Sequence, residues 1–432
     1  MEWMLVGERL NNGHSLYSGV WTEIGPLAAY IYGFVDLMFG RNQFYYELVA
    51  MVIVYAQALY FGYVINKNRV IIEKNYLPAL MYVVIMSLSF DFNKLSPTLI
   101  SISFLLLAIN SLFKQIEGNH ESSQHVFEAG LLIGLGSLCL YSFPVFLLWA
   151  LISLVMFTPV KANQILLLVL GFLLPIFVSG IFFYFLGSFD HYYHQWLLQF
   201  QRLSFTFNKD LIRVFYVFGL PILIAVMGMI KIFGNVRYAN FQNRKQQVLV
   251  FSAFFGLVAY LLSGNLSTYQ ALGLAPFLAF FLTGWFIHIR GIYTSELTFL
   301  GIIVLLVFIN IQGVNPLFGE GYSHLGDLRI EKSSTKNYIR DRSILVTGEK
   351  LDDYFYAKSG SPYINWDVSK GDLEHPDIYQ KLASVYANLV TEKPEYIIDN
   401  AQVFPKIFSR IPELNSSYER VEGTRHFRLK GL

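Results

Sequence analysis

Residues 1–40 of the chain read MEWMLVGERLNNGHSLYSGVWTEIGPLAAYIYGFVDLMFG. The first half mixes charge with aromatic side chains: Glu2, Glu8, Arg9, Asn11, Asn12, His14 and Glu23 all fall in it. The second half, Pro26 to Phe39, is apolar for about 14 residues, short of the roughly 20 that a helix needs to cross a bilayer. A carboxylate-bearing loop leading into a short apolar helix that opens on proline reads as a segment lying at a membrane interface.

The remainder of the chain sets the class. Of its 432 residues, 54% are hydrophobic and only 14% charged. Its mean hydropathy is +0.45. A soluble chain of this size carries nearer a quarter charged residues. Apolar runs fall at about 44–65, 76–91, 97–113, 126–141, 143–157, 163–187, 214–233, 247–263, 269–287 and 295–314. Residues 126–157 can form a tight helical hairpin around Ser142-Phe143-Pro144. The reading is an all-α polytopic membrane domain of about ten transmembrane helices plus interfacial helices, with a small C-terminal α/β domain. The expected divisions are 1–43, 44–314 and 315–432. Abundant Tyr (28) and Phe (39) suit many helix ends that need interfacial anchors. A net charge of +2 gives no sign of a nucleic-acid partner, and the single Cys139 excludes a disulfide framework and a thiolate metal site.

Charge orients the spans. If 44–65 runs inward, the inner loops hold Lys67, Arg69, Lys74, Lys114, Lys161, Arg237, Arg244, Lys245 and Arg290, against Arg41, Lys94, Arg202, Lys209 and Arg213 outside. Ten crossings then place both the N-terminal loop and the tail outside, the periplasmic face of a bacterial inner membrane. About 40 outer residues at the start, with no cleavable leader in front, predict one further helix upstream of Met1. The outer loop 188–213 combines Asp190, His191, His194, Trp196, Gln199, Arg202 and Lys209, and Trp196, Phe200 and Leu203 keep helical spacing. In the tail, strands are expected at 344–348, 396–399 and 426–429, and helices at 377–390 and 403–411.

Three pieces of the N-terminal stretch, Gly13-His14-Ser15-Leu16-Tyr17, Gly25-Pro26-Leu27 and Phe39-Gly40, resemble the first extracytoplasmic loop of GT-C type glycosyltransferases. Thr268 to Pro276, TYQALGLAP, is similar to the start of a late helix in the same superfamily. The resemblance implies a multi-pass enzyme that takes a sugar from a polyprenyl-phosphate donor among membrane lipids. Many relatives carry an Asp two residues after the loop tyrosine, where this chain has Gly19. The catalytic acid of the family sits just after the first helix, which corresponds to the neighbourhood of Glu2.

That scheme needs a carboxylate as base on an acceptor hydroxyl and cations for the departing lipid phosphate. Glu2, Glu8 and Glu23 are the candidate acids, their plain alternative being solvated loop charges. Arg202, Lys209 and Arg213 are candidate phosphate ligands, against ordinary snorkelling at a helix end. Arg9, Tyr17, Trp21, His191, His194, Tyr269 and Gln270 are candidate substrate contacts. His191 and His194, three apart, share a helical face, but no third ligand stands near them for a metal. No resident cofactor is evident, and a divalent cation is left open. Spans nearly free of ionisable groups, without inverted repeats, weigh against a transporter. A non-catalytic scaffold of the same fold in envelope biogenesis is the competing class.

Overall fold

The computed structural model describes residues 1–118, 123–202, 210–235, 237–264, 266–289, 291–314, 337–421 and 424–431. Lys209 and the side chains of Arg202 and Arg213 lie outside the described residues. The chain divides into two compact units. One gathers residues 1–43, 180–199 and 330–432; the other holds 44–179 and 200–329.

The second unit is helical: α3 (Gln43–Lys67), α4 (Leu77–Met86), α5 (Pro97–Glu117), α6 (Gln124–Ser137), α7 (Val145–Phe157), α8 (Ala162–Phe185, whose last residues enter the first unit), α10 (Asp210–Asn235), α11 (Asn240–Leu261), α12 (Ala275–His288) and α13 (Ile292–Val314). Every apolar run read from the sequence forms a helix here. Among the described residues, however, only six stretches are both long and apolar enough to cross a membrane: 43–67, 97–117, 162–185, 214–234, 268–288 and 292–311. These are six of the ten runs expected to cross. The helices α4, α6 and α7 run to only 10, 14 and 13 residues. Helix α11 is 22 residues long, but its first two turns, NFQNRKQQ, are polar.

Glycines set how closely these helices approach. A Cβ on Gly130 or Gly134 of α6 would stand 2.1 Å from the Leu168 carbonyl oxygen and 2.4 Å from that of Phe172 on α8. One on Gly228 of α10 would stand 2.0 Å from the Phe281 carbonyl oxygen on α12. Without a hydrophobic drive between helices in lipid, such backbone contact is what holds them.

One end of this unit carries a polar clasp. The Lys245 ammonium is fully buried and donates to the Asn68 carbonyl at 2.7 Å, while Gln242 and Gln246 donate to the next two carbonyls, Arg69 and Val70, at 2.8 and 3.0 Å. Lys245 also pairs with Glu117. Arg69 sits at φ +51°. These side chains supply donors to a turn whose backbone acceptors would otherwise be stranded.

The first unit brings the two ends of the chain together. Residues Glu2–Asn11, expected as loop, form helix α1, and Pro26–Phe39 form α2. Met4, Leu5 and Val6 are buried, and Leu10 packs against Gly33 of α2, so a tertiary apolar face makes the segment helical. Helix α9 covers Phe189–Gln195. The C-terminal sheet has the order β2-β1-β3-β5-β4, from β1 (Ser343–Thr347), β2 (Lys358–Ser359), β3 (Tyr396–Asp399), β4 (Tyr418–Arg420) and β5 (His426–Leu429). Strand β1 runs parallel to β2 and β3, while β5 is antiparallel to β3 and β4. Helices α14 (Trp366–Leu373), α15 (Tyr379–Thr391), α16 (Phe404–Arg410) and α17 (Pro412–Ser417) complete it. The expected strands at 344–348, 396–399 and 426–429 are present within a residue or two, as are the two helices; β2 and β4 carry too few residues to show a period.

Candidate functional site

Trp21 belongs to the core of the C-terminal sheet unit. Its N–H donates to the Pro362 carbonyl at 2.8 Å, its own carbonyl accepts from Asn365 N–H at 3.2 Å, and its ring meets Tyr363 edge-on at 4.9 Å. It shares a buried cluster with Leu345, Leu389, Ile397 and Phe404. The residue expected as a substrate contact is packed into this core.

Arg9 is similarly absorbed. It is 2% exposed, and its guanidinium donates to the Gly19 carbonyl at 2.9 and 3.2 Å, to the Ser359 carbonyl at 3.2 Å and to both Glu392 carboxylate oxygens at 2.6 and 2.8 Å. A planar fork of five donors suits such a set, and a lysine does not. His14 Nδ1 stands 3.3 Å from the same carboxylate. Burial, with the Arg9 charge beside it, holds the His14 imidazole below its ordinary range, against the pull of Glu392. Gly19 is tight: a Cβ there would stand 3.2 Å from His14 Cβ and 3.3 Å from the Ser15 carbonyl oxygen, so an acid at this position displaces its neighbours.

Tyr17 is fully buried at φ +68°, a backbone that costs a non-glycine residue energy. It is held by its own N–H on the Val20 carbonyl at 3.0 Å, its hydroxyl on the Ile24 carbonyl at 2.9 Å and Gln195 Nε2 on its carbonyl at 2.8 Å. Its ring packs against Phe183 and Tyr192 at 5.3 and 5.7 Å. His191 and His194 are exposed on α9.

The three acids separate by environment. Glu2 Oε1 accepts from Thr22 Oγ1 and Asn365 Nδ2, both at 2.9 Å, which ties it into the sheet unit. Glu23 is partly buried, and its charge helps Asp367 hold the Lys370 ammonium above its ordinary range. Glu8 is different. It is 19% exposed and accepts from Arg41 Nη1 at 2.8 Å. Burial pushes its carboxyl up, Arg41 opposes that, and the charge of Asp36 adds to it.

Asp36 and Arg41 complete this cluster. Asn11 Nδ2 donates to Asp36 Oδ2 at 2.7 Å and to the Gly33 carbonyl at 3.0 Å. Asp36 is 9% exposed, and its Oδ1 has no hydrogen-bond partner among the described residues. Two carboxylates, an amide and a guanidinium therefore meet where α1 packs on α2. Asp36 had a sequence signal, since it is the single ionisable group in the apolar run 26–39 apart from its tyrosines. Among the described residues no three His, Cys, Asp or Glu side chains converge as metal ligands.

In the helical unit, Tyr269 and Gln270 open the 268–274 turn, and Gln270 Oε1 accepts from Ser263 Oγ at 2.6 Å. Beside them Asp91, 3% exposed, accepts from Ser89 and Thr268 hydroxyls.

No family model matches the chain, and no curated protein matches its sequence. Among solved structures, ArnT from Cupriavidus metallidurans bound to undecaprenyl phosphate aligns with a TM-score of 0.50 at 11% identity, over 76% of this chain and 62% of that one. This chain shares its fold with that structure. The archaeal oligosaccharyltransferase AglB from Archaeoglobus fulgidus, in complex with an inhibitory peptide and a dolichol-phosphate, aligns at 0.47 and 11% identity, over 92% of this chain and 65% of that one. The chain spans less than two thirds of the length of either structure.

Proposed function

We propose that this protein is a membrane glycosyltransferase of GT-C type that moves a sugar from a polyprenyl-phosphate donor to an acceptor outside a bacterial inner membrane. The observation that carries the reading is the fold shared with ArnT, a structure whose bound molecule is a polyprenyl phosphate. The chemistry of the first unit fits it. A partly buried carboxylate with a raised pKa is suited to take a proton from an acceptor hydroxyl, and Glu8 is the acid in that state. Arg41, its partner at 2.8 Å, is a cation that an anionic group can draw away from Glu8. Arg202 and Arg213 remain candidates for the lipid phosphate by charge, and a divalent cation stays open as a cofactor.

The α2 helix supports placement at a lipid surface. It exposes Tyr30, Phe34, Leu37 and Met38, and Tyr30 meets Phe182 near the end of the span α8 at 5.8 Å. A short helix with such a face is stable where lipid covers it. The competing reading, a non-catalytic scaffold, is favoured by the engagement of Glu2 with Thr22 and Asn365 and by Gly19 in place of an acid.

The test is sugar transfer in nanodiscs from a labelled polyprenyl-phosphate donor pool to envelope extract, wild type against Glu8→Gln. Transfer by the wild type and its loss in the variant at equal protein level support the enzyme. No transfer by the wild type, with Glu8→Gln restoring a deletion strain in full, supports the scaffold.

A further inference from the structure

The helical unit contains a small cavity at the end where α5 begins, the α6–α7 turn lies and the 268–274 turn crosses. Thr98, Ser142, Gln270, Phe143 and Phe146 are among its lining. Its volume is about 10 Å³, the room that one water-sized group needs. Thr98 is 2% exposed and Ser142 is 1% exposed, and neither hydroxyl has a hydrogen-bond partner among the described residues. The neighbouring polar side chains are engaged. Ser101 donates to the Pro97 carbonyl at 2.7 Å, Ser263 to Gln270 at 2.6 Å, and Thr268 to Asp91. Two buried hydroxyls left open into one cavity, within a shell otherwise paired, mark a place where a ligand supplies the missing partner, since a buried hydroxyl without one is costly.

We propose that this cavity is a hydroxyl-binding subsite, in which one hydroxyl-sized ligand bridges Thr98 Oγ1 and Ser142 Oγ. The shared chemistry is a group that both donates and accepts a hydrogen bond. Water supplies it, and so does the terminal hydroxyl of a sugar's hydroxymethyl arm. The sugar source rests on the glycosyltransferase reading; the subsite itself does not.

The test is a double-mutant cycle of thermal stability on the full-length protein in nanodiscs, with Thr98→Val, Ser142→Ala and the double variant. A bridging ligand predicts that each single variant lowers Tm by a few degrees. It also predicts that the double variant loses clearly less than the sum, because the second hydroxyl has nothing left to hold once the ligand is gone. A dry cavity predicts the opposite sign: removing an unpaired buried hydroxyl leaves Tm unchanged or raises it, and that result overturns the proposal. Additive losses overturn it as well, because they report two independent structural roles. A titration with a simple methyl glycoside then separates the sources. A rise in wild-type Tm that is absent in the double variant identifies a carbohydrate, and no rise with the cycle intact identifies water. Sugar transfer enters neither readout, so failure of the enzyme reading leaves this test standing.

Discussion

Replacing Trp21 by alanine tests whether the N-terminal segment is part of the C-terminal sheet's core. The side chain is 8% exposed and packs with Tyr363, Leu389, Ile397 and Phe404. Truncating a buried tryptophan costs about 3–5 kcal/mol in lost transfer energy and cavity. The two backbone bonds of residue 21 survive in alanine, so the loss reports the ring. The assay is native-state hydrogen exchange on the full-length protein in nanodiscs, followed at the β3 amides of Ile397 and Ile398. At about 1.4 kcal/mol per tenfold change, their protection is expected to fall roughly 10²- to 10⁴-fold, while buried amides of α5 stay as they were. A change of less than about tenfold at β3 would mean that the sheet unit is complete without residue 21, and the reasoning fails.

Arg9→Met strands Glu392 in a partly buried site and is expected to cost about 3–5 kcal/mol of stability by thermal melt; Arg9→Lys recovers little, because one ammonium cannot reach the Gly19, Ser359 and Glu392 acceptors together. Equal melting of wild type and Arg9→Lys would refute the fork argument. Glu8 titrates above its usual 4.5, so the folded state binds its proton more tightly than the unfolded one. Its contribution to stability is therefore full below pH 4.5 and is lost as pH rises through the folded value. Melts of Glu8→Gln across pH 4.5 to 7.5 should lack that decline, and parallel wild-type and variant curves would exclude it. Gly228→Ala should destabilise by about 1–3 kcal/mol or more, because the new methyl meets the Phe281 carbonyl on α12. Gly301→Ala, in open space on α13, should stabilise by about 0.5–1 kcal/mol through helix propensity alone. Lys245→Met should cost about 1–3 kcal/mol by leaving the Asn68 carbonyl unpaired, measured as a fall in Tm.

The membrane class, the positions of the helices of the second unit and the main tail strands were legible in the sequence, because each rests on local composition or on a period of two or 3.6 residues. A resemblance to GT-C glycosyltransferases was read in Gly13–Tyr17 and Gly25–Leu27, and the chain shares its fold with ArnT. Which runs carry a helix of spanning length was not legible, because an apolar run such as 143–157 does not fix where its helix begins and ends. Asp36 carried a signal, a lone acid in an apolar run. The fate of the other charges did not. Arg9 finds Glu392 at the far end of the chain, and Glu2 finds Asn365. Much of what they bind is backbone carbonyl, which every residue carries and which leaves no mark in a sequence. What the chain wrote locally fixed the helices of its second unit and its solvent; that α1 is a helix, which carboxylate became a structural ligand and which, Glu8, kept a raised pKa beside Arg41 were decided by tertiary burial, since burial is a property of neighbours rather than of residues.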